Sequence, residues 1–322
     1  MTIGQLQSLV EQDLKRVDDL IHEKINCDVN LIDELANHII NSGGKRLRPL
    51  IVLLACKACD YNGVHNVTLA AMVEFFHTAT LLHDDVIDES KLRRGRKTAN
   101  EIWGSKISIL VGDFLLTRYM QLLIDVNNPE IMQLLTDIAF DIGRGEIQQL
   151  DNRHKPEINE EAYFSVIRSK TSLLFAASAK ISAILSGASI EVQESLYQYG
   201  LHLGNAFQLI DDALDYCSDS NTIGKNIGDD LADGIATLPL IHALKNGSEE
   251  QKAKIKVSLE QGILDNLPEI QEAIEQTSAI EYTKQIAQQE VEYSLMALKK
   301  IPNSQYKEAL ATLANYAIKR SY

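Results

Sequence analysis

The amino-acid sequence predicts an all-α fold, in one domain that covers residues 1–322 and contains about a dozen helices. Three observations support this prediction. Apolar residues recur at spacings of three and four along most of the chain, which is the periodicity of helices with one buried face. No segment shows the sustained two-residue alternation of a half-buried strand. Only 6 of the 322 residues are proline, so few positions interrupt a helix.

The periodicity places the helices in order along the chain. It is clearest in the segments 66–89, 107–126, 130–150, 160–187, 190–216 and 279–299. Short turn signals such as Asn62-Gly63 and Asn127-Asn128-Pro129 occur between helical segments, and none is long enough to be a linker. The acidic, glutamine-rich segment 250–300 is typical of solvated faces on amphipathic helices.

Composition excludes several classes of protein. With 31 Lys and Arg against 45 Asp and Glu, the formal net charge is −14, and a chain this acidic is a poor binder of nucleic acid. Hydrophobic residues make up 45% of the sequence, which excludes a disordered chain. The N-terminus lacks the apolar core of a signal peptide, and no uninterrupted apolar run reaches the about 18 residues of a membrane span. We therefore expect a cytoplasmic protein.

The four cysteines do not form the framework of a disulfide-rich protein, because they are few and scattered. Cys56 and Cys59 make a single Cys-x-x-Cys within an apolar run, without a second pair or a following His pair at zinc spacing. We favour two thiols packed in the core over a metal or redox site. A reducing compartment is the simplest interpretation.

One motif occurs twice in the sequence. The segments 81–88 and 208–215 each consist of mostly apolar residues followed by the pattern Asp-Asp-x-x-Asp. The first triplet of aspartates is Asp84, Asp85 and Asp88, and the second triplet is Asp211, Asp212 and Asp215. On a helix, the first and third aspartates of a triplet share a face, and the middle one is rotated by about 100°.

The two triplets indicate a metal site. Three carboxylates within about one helical turn repel one another unless cations offset their charge. Carboxylate oxygens suit hard cations such as Mg²⁺, which also keeps waters and binds substrate phosphates. Two such helices facing each other would hold a cluster of Mg²⁺ ions, and the matching ligand would be a polyanion such as a diphosphate. A single motif also fits a solvated acidic turn, but two copies, each behind an apolar run, favour the metal site.

Basic residues cluster near these motifs. The segment 43–49 places three cations directly after a glycine pair, and the segment 93–97 follows the first triplet. Lys170 lies in the run Arg168-Ser169-Lys170-Thr171, and Lys225 follows the second triplet. Arginine forks and the close backbone approach that glycine allows both suit phosphate. Any one cluster alone fits solvated surface charge, whereas all of them together predict one or two diphosphate pockets.

With these motifs, the sequence resembles the trans-polyprenyl diphosphate synthases, which elongate isoprenoid chains head to tail, and in particular the octaprenyl members of that family. The resemblance covers essentially the whole chain. It rests on GGKRLRP (43–49), LLHDDVIDESKLRRG (81–95), the GE-x-x-QL run (145–150), SKT (169–171), FQLIDDALD (207–215) and GKNIGDDL (224–231). It implies the isoprenoid synthase type I fold, in which helices surround a central cavity. It also implies a homodimer and a long product for the ubiquinone side chain.

The resemblance implies a role for each matching residue. Asp84, Asp88 and Asp211 match direct Mg²⁺ ligands, and the other three aspartates match supporting carboxylates. The positions that hold the allylic diphosphate are Arg93, Lys170, Gln208 and Lys225. The positions of the isopentenyl diphosphate pocket are Lys45, Arg48, His77 and Arg94. Thr171 matches a position near the breaking C–O bond.

One departure from the family concerns the allylic diphosphate. The family usually has Gly-Lys before the Thr-Leu-Pro motif, and that lysine contacts the allylic diphosphate, but Ile235 stands here instead. We still expect activity, because the metal ligands and Lys225 are present. From the residues alone, His77 is better interpreted as a satisfied core histidine. His83 is expected to support the first triplet rather than to bind a metal.

The resemblance also implies a mechanism and a route for the product. About three Mg²⁺ ions neutralise the allylic diphosphate, so that C–O cleavage leaves an allylic cation. The double bond of isopentenyl diphosphate attacks this cation, and a proton then leaves to the diphosphate. The product grows into an apolar tunnel below the first triplet, where Ala79 and Thr80 are small enough for a long chain. The tunnel floor is expected at Met120, Leu123, Met132 and Leu135, and any membrane contact would accompany product release.

Three alternatives fit the sequence less well. A class I terpene cyclase pairs one aspartate motif with an Asn/Ser/Glu motif and has no need of the segment 43–49. A metal-dependent phosphohydrolase of the HD type would use His83 and Asp84 but leaves the second triplet unexplained. A non-catalytic partner subunit would be expected to have lost carboxylates, and both triplets are intact.

Overall fold

The computed structural model describes residues 2–40, 45–93, 95–216 and 228–319. These residues are helical nearly throughout, which confirms the predicted fold class. The helices are α1 Ile3–Ser8, α2 Glu11–Ile25, α3 Asn30–Ile40, α4 Leu47–Ala58, α5 His65–Ile87, α6 Ala99–Trp103, α7 Ser105–Val126, α8 Pro129–Asn152, α9 Glu160–Ile167, α10 Leu173–Leu185, α11 Ile190–Leu214, α12 Asp229–Ala232, α13 Leu238–Asn246, α14 Glu249–Gln261, α15 Leu267–Gln276, α16 Ala279–Ala297 and α17 Gln305–Ile318. A π-helical turn, Arg168–Ser172, joins α9 to α10, and a 3-10 turn, Leu298–Lys300, follows α16.

The structure also contains a small hairpin that the periodicity did not predict. Leu92–Arg93 (β1) and Arg96–Lys97 (β2) pair antiparallel, with Leu92 opposite Lys97 and Arg93 opposite Arg96. Gly95 in the connecting turn has φ +73°, a left-handed conformation that glycine adopts without strain. Strands of two residues are too short to show an alternating pattern, so the sequence could not reveal them.

Contacts divide the chain into two compact units. The first comprises Met1–Asp137, Leu174–Gly200 and Ala297–Leu313, and the second comprises Ile138–Leu173, Leu201–Met296 and Ala314–Tyr322. Helices α8 and α11 each contribute residues to both units. The expectation of a single domain over residues 1–322 stays a prediction.

The core of the first unit includes α4, which is apolar on every side. Its residues from Leu50 to Cys56 are all 0% exposed, as expected of a helix buried all round. Ser182 on α10 donates a hydrogen bond from Oγ to the carbonyl of Val52 at 3.1 Å. Burial raises the pKa of the Cys56 thiol to about 12 and that of Cys59 to about 11. Cys56 is therefore a protonated core thiol, as predicted, and Cys59 lies half-buried at the end of the helix.

Helix α5 carries the first triplet at its C-terminal end and packs along α7. The approach is close at Gly112, where a Cβ would lie 2.3 Å from Nε2 of His83. The same nitrogen lies 3.2 Å from the carbonyl oxygen of Ile109 and 3.5 Å from Oδ1 of Asp113. His83 therefore fixes the end of α5 against α7.

The second unit has its own apolar core and a polar anchor for α11. Fully buried members of the core include Leu209, Leu231, Leu240, Ile255 and Ile270. On α11, Asn205 donates from Nδ2 to Oε2 of Glu290 at 2.9 Å, and its Oδ1 accepts from Ser172 Oγ at 2.6 Å. These bonds pair buried polar groups and hold in place the helix that ends in the second triplet.

The sequence analysis found no segment that could span a membrane, but helix α7 is a candidate by its length and composition. Of the described helices it alone is long and apolar enough to cross a membrane by length and composition, a test that a core helix also passes. Charged residues such as Asp113 and Arg118 interrupt its apolar run, so a count of consecutive apolar residues missed it. Exposed side chains on α7 are Ile109 (41%), Leu110 (65%), Met120 (55%) and Ile124 (64%). They fall within an arc of about 100° that also contains the exposed Lys106, Asp113 and Thr117, and we call these four apolar side chains the α7 stripe.

Candidate active site

The first triplet occupies the last turn of α5. Asp84 and Asp85 lie within the helix, and Asp88 is its C-cap, where its backbone N–H donates to the carbonyl of Asp84 at 2.8 Å. Asp85 is 1% exposed, whereas Asp84 and Asp88 are half-buried. The middle carboxylate therefore points into the protein, and the other two lie near the surface of the unit, as the helical rotation predicts.

Arg93 binds the middle aspartate of this triplet. Its Nε and Nη2 both donate to Oδ1 of Asp85, at 2.9 Å and 2.7 Å. The hairpin that carries Arg93 is tied back to the helix end, because Ser90 N–H donates to the carbonyl of Asp85 and Thr98 Oγ1 donates to the carbonyl of Ser90. The guanidinium offsets the cost of burying the Asp85 charge. The structure thus places Arg93 beside the first triplet.

The basic residues before α4 fall into two groups. Arg46 lies 2.8 Å from Glu74 and 3.2 Å from Asp18, so it forms structural ion pairs. Arg48 instead approaches His77, with Nη1 at 3.0 Å from Nε2. A guanidinium can only donate, so Nε2 of His77 is the acceptor of this bond. Lys45 is exposed at the start of this segment.

The second triplet lies at the end of α11. Asp212 is 3% exposed, and its carboxylate accepts two hydrogen bonds, from Tyr163 Oη at 2.5 Å and from Gln208 Nε2 at 2.7 Å. Asp215 lies just past the helix, and its Oδ2 accepts from the backbone N–H of Asp230 at 3.4 Å. Asp211 and Asp215 are half-buried. The second triplet therefore repeats the arrangement of the first, with a different partner for its middle member.

Burial makes the ionisation of Asp212 unusual. Burial, together with the nearby charge of Asp230, raises the pKa of Asp212 from its ordinary 3.8 to about 8, although the hydrogen bonds from Tyr163 and Gln208 act in the opposite direction. Burial and the Asp212 carboxylate also raise the pKa of Tyr163, so this phenol stays protonated and donates. A cation bound nearby would favour the ionised carboxylate.

The π-helical turn brings Lys170 and Thr171 to the second triplet. Lys170 Nζ donates to Oε1 of Gln149 at 2.8 Å and lies 3.2 Å from Oε2 of Glu146. Thr171 Oγ1 donates to Oε1 of Gln208 at 2.8 Å. A chain of hydrogen bonds therefore runs from Thr171 through Gln208 to Asp212. Such π-helical turns occur frequently at functional sites.

A cavity lies beside this chain of hydrogen bonds. It holds about 580 Å³ of space, part of which is open to solvent. Its polar lining includes Lys170, Thr171, Gln208, Asp212, Asp230 and Arg153. Ile235 lies in its wall.

Sequence reasoning missed several residues of the site and assigned others that the structure does not describe. Arg94 and Lys225 lie outside the described residues. Glu146 and Gln149 belong to the GE-x-x-QL run, which was noted without a role. Tyr163 had no signal, because it lies 49 residues from Asp212 in the chain.

The residues expected to form the product tunnel are not all interior. Ala79 is 0% exposed, Leu123 7% and Leu135 2%, while Thr80 and Met132 are half-buried. Met120 is 55% exposed on the α7 stripe, so within the single chain it does not line an interior tunnel, contrary to the expectation. Helical spacing could not show this, because it does not reveal which face of α7 is covered.

The carboxylates of the two triplets other than Asp85 and Asp212 suit a hard metal ion. The half-buried first and third aspartates of each triplet offer oxygen ligands, which Mg²⁺ prefers. Within the described ranges, no group of three His, Cys, Asp or Glu side chains is arranged to hold a metal by itself. A cation at these aspartates would therefore need further ligands, such as water or a substrate phosphate.

Known proteins resemble this chain along its whole length. The sequence model of the polyprenyl synthetase family matches residues 29–277. The chain is 44% identical over 321 residues to octaprenyl diphosphate synthase of Escherichia coli (strain K12), covering 99% of each chain. It is 43% identical over 312 residues to the geranyl-diphosphate-specific all-trans-nonaprenyl-diphosphate synthase of Rhodobacter capsulatus, covering 97% of this chain and 96% of that one. The crystal structure of polyprenyl synthase from Caulobacter crescentus CB15, complexed with calcium and isoprenyl diphosphate, matches with a TM-score of 0.95 at 38% identity, covering 99% of this chain and 98% of that one.

Proposed function

Because the chain belongs to the polyprenyl synthetase family and is a prenyltransferase, we propose that it is an octaprenyl diphosphate synthase that supplies the ubiquinone side chain. Its relatives support the coarser statement that it is a long-chain trans-polyprenyl diphosphate synthase. In the proposed reaction, isopentenyl diphosphate units are added to an allylic diphosphate such as farnesyl diphosphate. The observation that carries this proposal is the repeated triplet, in which the protein binds the middle aspartate and leaves the outer two half-buried.

We assign the metal to the outer aspartates. Asp84 and Asp88 of the first triplet and Asp211 of the second would hold about three Mg²⁺ ions, with Asp85, Asp212 and Asp215 in support. When bound, Mg²⁺ offsets the charge of the diphosphate and makes it a better leaving group. The relative from Caulobacter crescentus was crystallised with calcium and isoprenyl diphosphate, which supports a divalent cation at this kind of site.

The side chains near the second triplet bind and orient the allylic diphosphate. Lys170 and Gln208, together with Arg93 near the first triplet and Lys225, provide cationic and amide donors for its oxygens. Thr171 is positioned by its hydrogen bond to Gln208, so that its hydroxyl is held near the C–O bond that breaks. Ile235 and Ala236 form an apolar part of the cavity wall.

We assign the second substrate to the basic group before α4. Lys45, Arg48, His77 and Arg94 would bind isopentenyl diphosphate. His77 accepts from Arg48, which fixes the direction of the guanidinium. This pair supports the assignment against the interpretation of His77 as an ordinary core histidine, because its partner is a cation.

The length of the product would be set in the first unit. The first triplet lies one helical turn beyond Thr80 and Ala79, whose small side chains leave room for a growing apolar chain. One turn further back, the ring of Phe76 lies 5.2 Å from that of Tyr119, and both are buried. We assign the floor to this ring pair together with Leu123, Met132 and Leu135.

We further propose a homodimer in the cytoplasm that contacts membranes only during product release. The α7 stripe supports the dimer, because four exposed apolar side chains on one side of a helix are typical of a surface that a partner covers. Light scattering on the purified protein would show a mass of two chains, and Ile124→Arg on the stripe would reduce it to one.

One assay tests the proposed function. Purified protein is incubated with farnesyl diphosphate, labelled isopentenyl diphosphate and Mg²⁺, and the product length is measured by mass spectrometry. An octaprenyl product that disappears with EDTA supports the proposal. A different long chain would correct the product length. A folded protein that makes no product from geranyl, farnesyl or geranylgeranyl diphosphate would contradict the proposal and favour a non-catalytic subunit.

A further inference from the structure

The cavity beside the second triplet is also lined by Arg153, which has no role in the proposed mechanism. Among the described residues that line it, the basic ones are Lys170 and Arg153, and the acidic ones are Asp212 and Asp230. Lys170 already lies 3.2 Å from Glu146. A diphosphate in this cavity therefore needs positive charge beyond Lys170. Ile235 in the wall cannot supply it.

Arg153 and Ile235 lie on either side of one backbone hydrogen bond. The N–H of His154 donates to the carbonyl of Gly234 at 2.9 Å. Arg153 directly precedes His154 in the chain, and Ile235 directly follows Gly234. Both side chains line the same cavity. This backbone bond therefore joins the two chain segments that place Arg153 and Ile235 in the wall of one cavity.

The turn that carries Arg153 is held tightly. His154 has φ +60°, and its Nδ1 lies 3.0 Å from the carbonyl oxygen of Leu259. A Cβ at Gly234 would lie 2.4 Å from the same ring, and one at Gly262 would lie 3.3 Å from it. The imidazole is therefore enclosed by two glycines with positive φ, at +68° and +63°. A site that places a charge for a ligand benefits from such a fixed backbone.

We propose that Arg153 binds the diphosphate of the allylic substrate and supplies the charge that Ile235 does not. This inference rests on the proposed function. Arginine suits the role because its planar fork can donate two parallel hydrogen bonds to a phosphate. The competing explanation is that Arg153 has only a structural role. In that case its positive charge would stabilise the C-terminal end of α8 and offset the acidic side chains of Asp212 and Asp230.

A set of variants separates the two explanations. Binding of farnesyl diphosphate with Mg²⁺, without isopentenyl diphosphate, is measured by calorimetry on wild type, Arg153→Val, Arg153→Lys and the double variant Arg153→Val with Ile235→Lys. We expect Arg153→Val to weaken binding about tenfold or more, Arg153→Lys to weaken it less, and the double variant to recover most of the loss. Arg144→Val, an exposed arginine on α8 that pairs with Asp141, is the matched control and should bind like wild type. In turnover assays, the KM for the allylic substrate should rise while that for isopentenyl diphosphate stays unchanged.

Several results would overturn the proposal. One is wild-type affinity in folded Arg153→Val. Another is weaker binding of farnesyl diphosphate by Arg153→Val that comes with a lower melting temperature and is not reversed by Ile235→Lys. If Arg153→Val does not fold, the same result in Arg153→Lys counts in its place. Ile235→Lys alone should tighten binding of farnesyl diphosphate. Unchanged or weaker binding in this variant would also contradict the proposal, because it would show that a cation at position 235 does not reach the diphosphate. Because the titration needs no turnover, it tests Arg153 even if the elongation assay fails.

Discussion

The phenol of Tyr163 donates a hydrogen bond to Oδ2 of Asp212 across 2.5 Å, and this bond holds the middle carboxylate of the second triplet inside the protein. Arg93 does the same for Asp85 in the first triplet, with two bonds to one oxygen. The partners differ in chemistry, a neutral phenol in one case and a cation in the other. The outcome is the same, since the middle aspartate is bound by the protein and the outer two lie half-buried at the helix end.

The Arg93–Asp85 pair is expected to stabilise the fold. Arg93→Leu leaves a carboxylate that is 1% exposed without its cation, which should cost about 3 kcal/mol in the free energy of unfolding. Urea denaturation measures the change. The control is Arg144→Leu, whose exposed pair with Asp141 should contribute less than about 0.5 kcal/mol. Adding Asp85→Asn to Arg93→Leu should restore part of the loss, and an unchanged midpoint in Arg93→Leu would refute the expectation.

The outer aspartates are expected to matter for turnover and not for stability. Asp84→Ala removes a proposed Mg²⁺ ligand, so kcat should fall by about a thousandfold or more. Circular dichroism and the melting temperature should remain those of the wild type. Asp125→Ala, an exposed carboxylate on α7, is the matched control. Turnover close to wild type in Asp84→Ala would remove Asp84 from the metal site.

Asp212 is expected to give the metal-free protein a pH-dependent stability. Its pKa is raised from 3.8 to about 8 on folding, so between these values the folded state holds a proton that the unfolded state has released. The contribution of this proton is therefore complete below about pH 4 and is lost as the pH rises through about 8. In buffer with EDTA, the melting temperature of wild type minus that of Asp212→Asn should fall over this window by a few degrees. A difference that stays constant or rises with pH would contradict the assignment.

The small residue at position 79 is expected to permit a long product. Ala79→Tyr places a bulky ring one turn before the first triplet, so products should shorten to the range from farnesyl to geranylgeranyl diphosphate. Mass spectrometry of the products measures this. Because Ala79 is 0% exposed, the melting temperature must be measured in parallel to show that the variant is folded. Ala79→Ser is the control and should keep the wild-type length. Unchanged long products from folded Ala79→Tyr would place the tunnel elsewhere.

The sequence predicted the site better than it predicted the surroundings of the site. Lys170, Thr171, Gln208 and Asp212 were identified from motifs, and the structure brings them together around one cavity. Met120 was placed in the interior and is 55% exposed, because periodicity does not tell which face of α7 is covered. The hairpin was missed because two-residue strands have no period.

By itself the sequence determined the fold class, the two aspartate triplets and the family, because periodicity and motif spacing are local and can be read along the chain. Tertiary structure alone decided which partner each buried aspartate has. Tyr163 reaches Asp212 from 49 residues away, and the turn at His154 reaches the backbone of Gly234. Such pairings depend on how helices pack, and packing is set by the contacts of many residues at once. For this reason Ile235 stands out in the sequence as a missing charge, whereas the folded protein shows that Arg153 lines the same cavity.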